Sequence, residues 1–133
     1  MLGKFQKSEL RIEIEASASV IRDSLLRTEK LKKWLWSQQI DNELPEELYK
    51  GYKFTSGIGP LKIYHQVDVL GNDCLRLILS QGIDGYHEWY WGEGWVQSRL
   101  EGVSMLPISL GQTLSLLTFR EFVKRDSGKE TQK

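Results

Sequence analysis

Residues 109–124, "SLGQTLSLLTFREFVK", hold more apolar surface than a helix can show to water. Leu110, Leu114, Leu116, Leu117, Phe119, Phe122 and Val123 all fall within this stretch. Wound as a helix, they spread well beyond the single stripe of an ordinary surface helix, so the segment needs a broad apolar face to lie on. Ser109 and Gln112 have the Ser-x-x-Gln spacing of a capping box, which predicts the helix start. Gly111 costs roughly 1 kcal/mol against alanine in a helix interior, and less this close to the start.

The rest of the chain supplies that face, because its apolar period is mostly two. In "FQKSELRIEIEA", Leu10, Ile12 and Ile14 alternate with Glu9, Arg11, Glu13 and Glu15, giving a strand with one dry side. "YKGYKFTSG" reads as a strand ending at the Gly57-Ile58-Gly59-Pro60 turn. "LKIYHQVDVLG" puts Ile63, His65, Val67 and Val69 on one side and Lys62, Tyr64, Gln66 and Asp68 on the other. Gly71-Asn72-Asp73 then turns the chain into "CLRLILSQG". "GYHEWYWGEGWVQSRLEG" reads as a hairpin with a two-residue loop at Glu93-Gly94. That loop pairs Trp91 with Val96, Trp89 with Ser98 and His87 with Leu100, and places all six on one face. A three-residue loop would set Trp91 beside Gln97 and Arg99, so it is rejected.

Two short helices interrupt the strands. Ser17 and Ser19 can start one that carries Ile21, Leu25 and Leu26, and Thr28 with Glu29 can start another that buries Leu31, Trp34 and Leu35. "SQQIDNELPEEL" is polar, contains Pro45 and reads as a connection. Residues 1–126 are expected to form one domain, and 127–133 a disordered tail.

Eighteen basic residues balance eighteen acidic ones, so no global field favours nucleic acid or an anionic membrane, and no nucleic-acid partner is expected. Cys74 is the single cysteine, which excludes an internal disulfide or a cysteine metal cluster, and its apolar run suggests a small buried hydrophobe. No apolar run approaches the ~20 residues of a membrane span, and "MLGKFQKSEL" lacks a secretory core; a reducing cytoplasm is the expected compartment. The two histidines lack metal-ligand spacing, "GIGP" and "GEG" are turns of the wrong length for phosphate, and no Gly-x-Ser-x-Gly elbow occurs. No metal, cofactor or catalytic residue is assigned.

The element order of strand, two short helices, antiparallel strands and one long C-terminal helix resembles the START-like, or SRPBCC, superfamily. The likeness rests on "IEIEASASVIRDSLLRTEKLKKWLW", the Gly-turned middle strands and "LSLLTFREFVK", and covers about residues 5 to 125. It implies an α+β helix-grip fold, a curved antiparallel sheet wrapped around the last helix. It also implies a cavity between them, open near the short helices and strand-connecting loops. "TEKLKKWLW" looks like the family's second helix, which ends in an aromatic beside the cavity.

Trp34, Tyr52, His65, Trp89 and Trp91 are the candidate lining residues. His65 is the most informative of them, since strand parity turns it inward, where a polar group needs a partner. It could bond a ligand, move a proton near neutral pH, or bond a buried hydroxyl as part of the structure. His87 faces inward by the same argument. Trp34, Trp36, Trp89 and Trp91 read first as core and hairpin rings, and the same rings can show an edge to a pocket. The expected role is a small binding protein for an apolar or aromatic molecule. A polyketide cyclase or aromatase-like enzyme, and an interaction module with a filled core and a protein partner at Trp95 and Tyr90, remain alternatives.

Overall fold

The computed structural model describes residues 3–35, 45–58 and 61–131. Its elements run β1 (Lys4–Glu13), α1 (Ala18–Leu26), α2 (Thr28–Trp34), β2 (Lys53–Ile58), β3 (Leu61–Leu70), β4 (Cys74–Gln81), β5 (Asp84–Gly92), β6 (Trp95–Ser104) and α3 (Ile108–Thr131). Trp36, most of the polar connection and the Gly59-Pro60 part of the turn lie outside the described residues. The strands form one antiparallel sheet in the order β1-β6-β5-β4-β3-β2, so the first strand pairs with the last.

Local chemistry accounts for most of these elements. In β6 burial alternates at every residue, and Val96, Ser98 and Leu100 point inward. Ser17 caps α1, its side chain accepting from the Val20 amide at 3.3 Å. The β5–β6 hairpin has the expected two-residue loop, pairing Gly92 with Trp95, Trp91 with Val96, Trp89 with Ser98 and His87 with Leu100. Gly94 takes φ +79 at its tip, a left-handed conformation natural to glycine. The tip is pinned to the β1–α1 connection: the Ile14 amide donates to the Gly94 carbonyl at 2.9 Å, and the Gly94 amide to the Ala16 carbonyl at 3.0 Å. Farther along, Gly85 sits opposite Gly102, and a Cβ on Gly85 would fall 1.9 Å from the Glu101 carbonyl oxygen. The strands come this close only because neither residue has a side chain.

Five local expectations need correction. A bulge between Val67 and Val69 reverses the parity of β3, leaving Val69 45% exposed and turning Leu70 against the core. β2 begins at Lys53, because Tyr49 to Tyr52 form a turn around Gly51 at φ +94. Cys74 is only half-buried. α3 continues through Thr131, into the segment expected to be disordered, since adding residues to an established helix costs little. Finally, α3 buries Ile108, Gln112, Leu116, Phe119 and Val123, while Leu110, Leu114 and Leu117 are 58%, 40% and 41% exposed.

The last of these follows from where the helix lies. α3 packs against β1 and β6 and against α1 and α2, so one side is covered and the other faces solvent. A Lys30–Asp126 ion pair at 2.9 Å ties α2 to it. The capping box does not form. The Ile108 amide instead donates to Gln6 Oε1 at 3.2 Å, and the Gln112 side chain turns into the protein.

Candidate functional site

A cavity of about 220 Å³ lies between the sheet and α3. β4 contributes Leu75, Leu77 and Leu79 to its wall, at alternate positions of one strand. α1 adds Leu25, α2 adds Leu31 and Trp34, and α3 adds Ile108, Gly111, Gln112 and Ser115. Among the described lining residues only Pro107 and Gly111 are exposed, so on this side the cavity meets the surface beside the first turn of α3. A Cβ on Gly111 would meet nothing within 4 Å, so the glycine leaves free space at this mouth.

Three of the five residues picked from the sequence line the cavity: Trp34, His65 and Trp89. Trp34 is 3% exposed, donates its indole N–H to the Ser24 carbonyl at 2.8 Å, and meets Trp89 and Phe119 edge-on at 5.8 and 4.9 Å. Trp91 is equally buried but lies outside the lining, two residue pairs nearer the hairpin turn. Tyr52 falls outside it too. It belongs to the turn before β2, against Tyr49 and Phe54, and Phe54 is the ring that reaches the cavity.

The polar side chains among the described lining residues are Ser56, His65, His87, Gln112 and Ser115, and His87 and Gln112 both bond Ser98 behind the wall. His65 Nε2 bonds Ser56 Oγ at 2.7 Å, and its ring stacks on Phe54 at 4.6 Å with 2° between the planes. His87 Nε2 bonds Ser98 Oγ at 2.5 Å and packs beside Trp89 at 4.7 Å. Gln112 Nε2 donates to the Ser8 carbonyl at 3.1 Å and to the Ser98 carbonyl and Oγ, both at 3.0 Å. Ser98 Oγ thus accepts from Gln112 and shares a second hydrogen bond with His87 Nε2, its two lone pairs and one hydrogen allowing either direction to the ring. Burial pushes His65 down to about 4; it pushes His87 down to about 3, with nearby His65 adding to the effect. Both rings are therefore neutral at pH 7.

Among the described residues, two buried polar atoms of this wall have no hydrogen-bond partner, His65 Nδ1 and Gln112 Oε1. Leaving such a group unpaired costs about 1–3 kcal/mol. The spacing of Gln112 from Ser109 predicts a cap. The residue belongs instead to the buried series Ile108, Gln112, Leu116, Phe119 and Val123, whose helical spacing was the available signal. Among the described residues no group of three His, Cys, Asp or Glu could hold a metal ion, and no helix is long and apolar enough to cross a membrane.

The outer face of the same hairpin is built differently. Tyr86 donates to Glu101 and Tyr90 to Glu88. Arg99 pairs with Glu9 at 3.1 Å and Glu101 at 3.8 Å, and Arg11 lies 4.1 Å over the Trp95 ring. Trp95 is thus half-buried beneath an arginine of its own sheet, and Tyr90 is half-buried as well.

No family model matches the chain, and no curated protein matches it either. Solved structures do. Protein CV1439 from Chromobacterium violaceum superposes with a TM-score of 0.67 at 15% identity, over 88% of this chain and 96% of that one. The Aha1 dimer from Colwellia psychrerythraea gives 0.59 at 16% identity, over 89% of this chain and 96% of that one. StfQ, a di-domain ARO/CYC from the steffimycin biosynthetic pathway, gives 0.58 at 10% identity, over 93% of this chain and 52% of that one. The chain has the helix-grip fold. At these identities the likeness speaks for architecture, and the chemistry must be argued from the cavity.

Proposed function

We propose that the protein binds a small apolar or aromatic molecule in the cavity between its sheet and α3. The observation that carries this reading is a 220 Å³ space walled by leucines, tryptophans and Phe54 that opens beside the exposed Gly111. Apolar walls with a few placed polar groups are the usual composition of a small-molecule site. The fold shared with StfQ supports the same reading, since a helix-grip domain there belongs to a biosynthetic protein. Proton transfer by His65 near neutral pH is the weaker alternative. An imidazole held near 4 is a poor base and carries no proton to donate as an acid at pH 7.

Native mass spectrometry of gently purified protein, followed by uptake of an apolar fluorophore, tests the proposal. A discrete adduct, or saturable uptake lost in Gly111→Trp, is the expected result. A clean mass together with no uptake by the unmodified protein overturns it.

A further inference from the structure

Resting on the cavity-binding reading, we infer that the cavity selects an uncharged one- or two-ring compound bearing a hydroxyl group, which His65 and Gln112 recognise. Gln112 is 2% exposed, and its amide is held one way round, because its nitrogen is committed to two backbone carbonyls and Ser98 Oγ. Its Oε1 is therefore a fixed acceptor, buried and without a hydrogen-bond partner among the described residues. His65 is 7% exposed, its ring clamped between the Ser56 bond and the Phe54 stack, and its Nδ1 is likewise unpaired. Both side chains line the same cavity.

The chemistry of these two atoms narrows the ligand. Oε1 accepts only, so it needs a donor. Nδ1 donates or accepts according to which way Ser56 turns its proton. A hydroxyl serves either, as it carries one hydrogen and two lone pairs. A carboxylate has no hydrogen for Oε1. No lysine or arginine is among the described lining residues to neutralise such an anion, and both histidines are held neutral by burial. Size narrows it again. The 220 Å³ volume exceeds the ~150 Å³ that accommodates benzene but falls below the roughly 300–1,000 Å³ of a drug-sized pocket.

Titration calorimetry with naphthalene, naphthol and naphthoic acid at neutral pH separates the possibilities. Naphthol is expected to bind about tenfold tighter than naphthalene, the ratio worth one well-formed hydrogen bond, with naphthoate weakest. In Gln112→Met the naphthol preference should shrink to within about threefold. Because that variant also removes the amide's bonds to Ser8 and Ser98, His65→Phe provides the same readout while keeping a ring on Phe54. A ratio near one in the unmodified protein, or naphthoate binding best, overturns this inference and leaves the apolar cavity standing. Binding of none of the three overturns both. A preference unchanged in both variants also overturns the assignment to these residues.

Discussion

Ser98 and Arg99 are neighbours in β6, yet they live in opposite electrostatic worlds. Ser98 is fully buried and mediates between two neutral groups, accepting from Gln112 and sharing a hydrogen bond with His87. Arg99 is on the outer face, paired with Glu9 and Glu101 and wet on one side. The inner face keeps its polar groups uncharged and ties each to a small hydroxyl. The outer face spends full charges freely, because water shields them. A cavity built on the first pattern discriminates by hydrogen bonding and shape, whereas an ionic surface of the second kind contributes little to stability or selectivity.

Matched changes on the two faces should expose this difference. Trp34→Ala removes a ring 3% exposed and packed on Trp89 and Phe119, and should cost about 3–5 kcal/mol in denaturant unfolding. Trp95→Ala, on the outer face over Arg11, should cost about 1 kcal/mol. Equal costs would break the comparison.

Acid should act on the inner face next. The unfolded chain protonates His65 near its ordinary value of 6.5, but the folded protein resists until about 4. The unfolded state thus binds more protons across this window, and stability falls as pH drops from 6.5 toward 4. His87, pushed down to about 3, adds an equal term over the same window; each contributes about 1.4 kcal/mol per pH unit, so His65→Gln should remove about half of the slope in denaturation curves recorded at several pH values.

Ser98→Ala leaves the Gln112 amide and His87 Nε2 short of a partner and should cost about 1–3 kcal/mol. Arg99→Ala should cost under about 1 kcal/mol, and its effect should fade in high salt while that of Ser98→Ala persists. The smallest expected effect is a gain. Gly111→Ala meets open space and replaces a glycine in the first turn of a helix, so it should raise stability by up to about 1 kcal/mol. A loss there would mean that the mouth is more tightly filled than its geometry implies.

Much of the fold was legible because it depends on short-range rules. Alternation identified β1 and β6, Ser17 announced α1, and the two-residue loop set the hairpin register that turns Trp89 and His87 inward. The same parity put His65 beside the cavity. It failed just beyond, at Val69, where a bulge that nothing in the alternation marks reverses the faces.

What the sequence determined by itself was therefore which residues could share a face, since pleat and helical pitch are properties of the local chain. Tertiary structure decided which face met what. Leu110, Leu114 and Leu117 belong to an apolar helix by any local reading, yet they face solvent because α3 rests on β1 and β6 with its other flank uncovered. Gln112 has the spacing of a cap, yet Ser8 and Ser98 capture it from strands about a hundred and about fourteen residues away in sequence. Tyr52 and Phe54 have the same parity, and only the turn at Gly51 decides that Phe54 reaches the cavity. Those outcomes depend on contacts between distant segments, which form only when the sheet curls and the last helix docks against it.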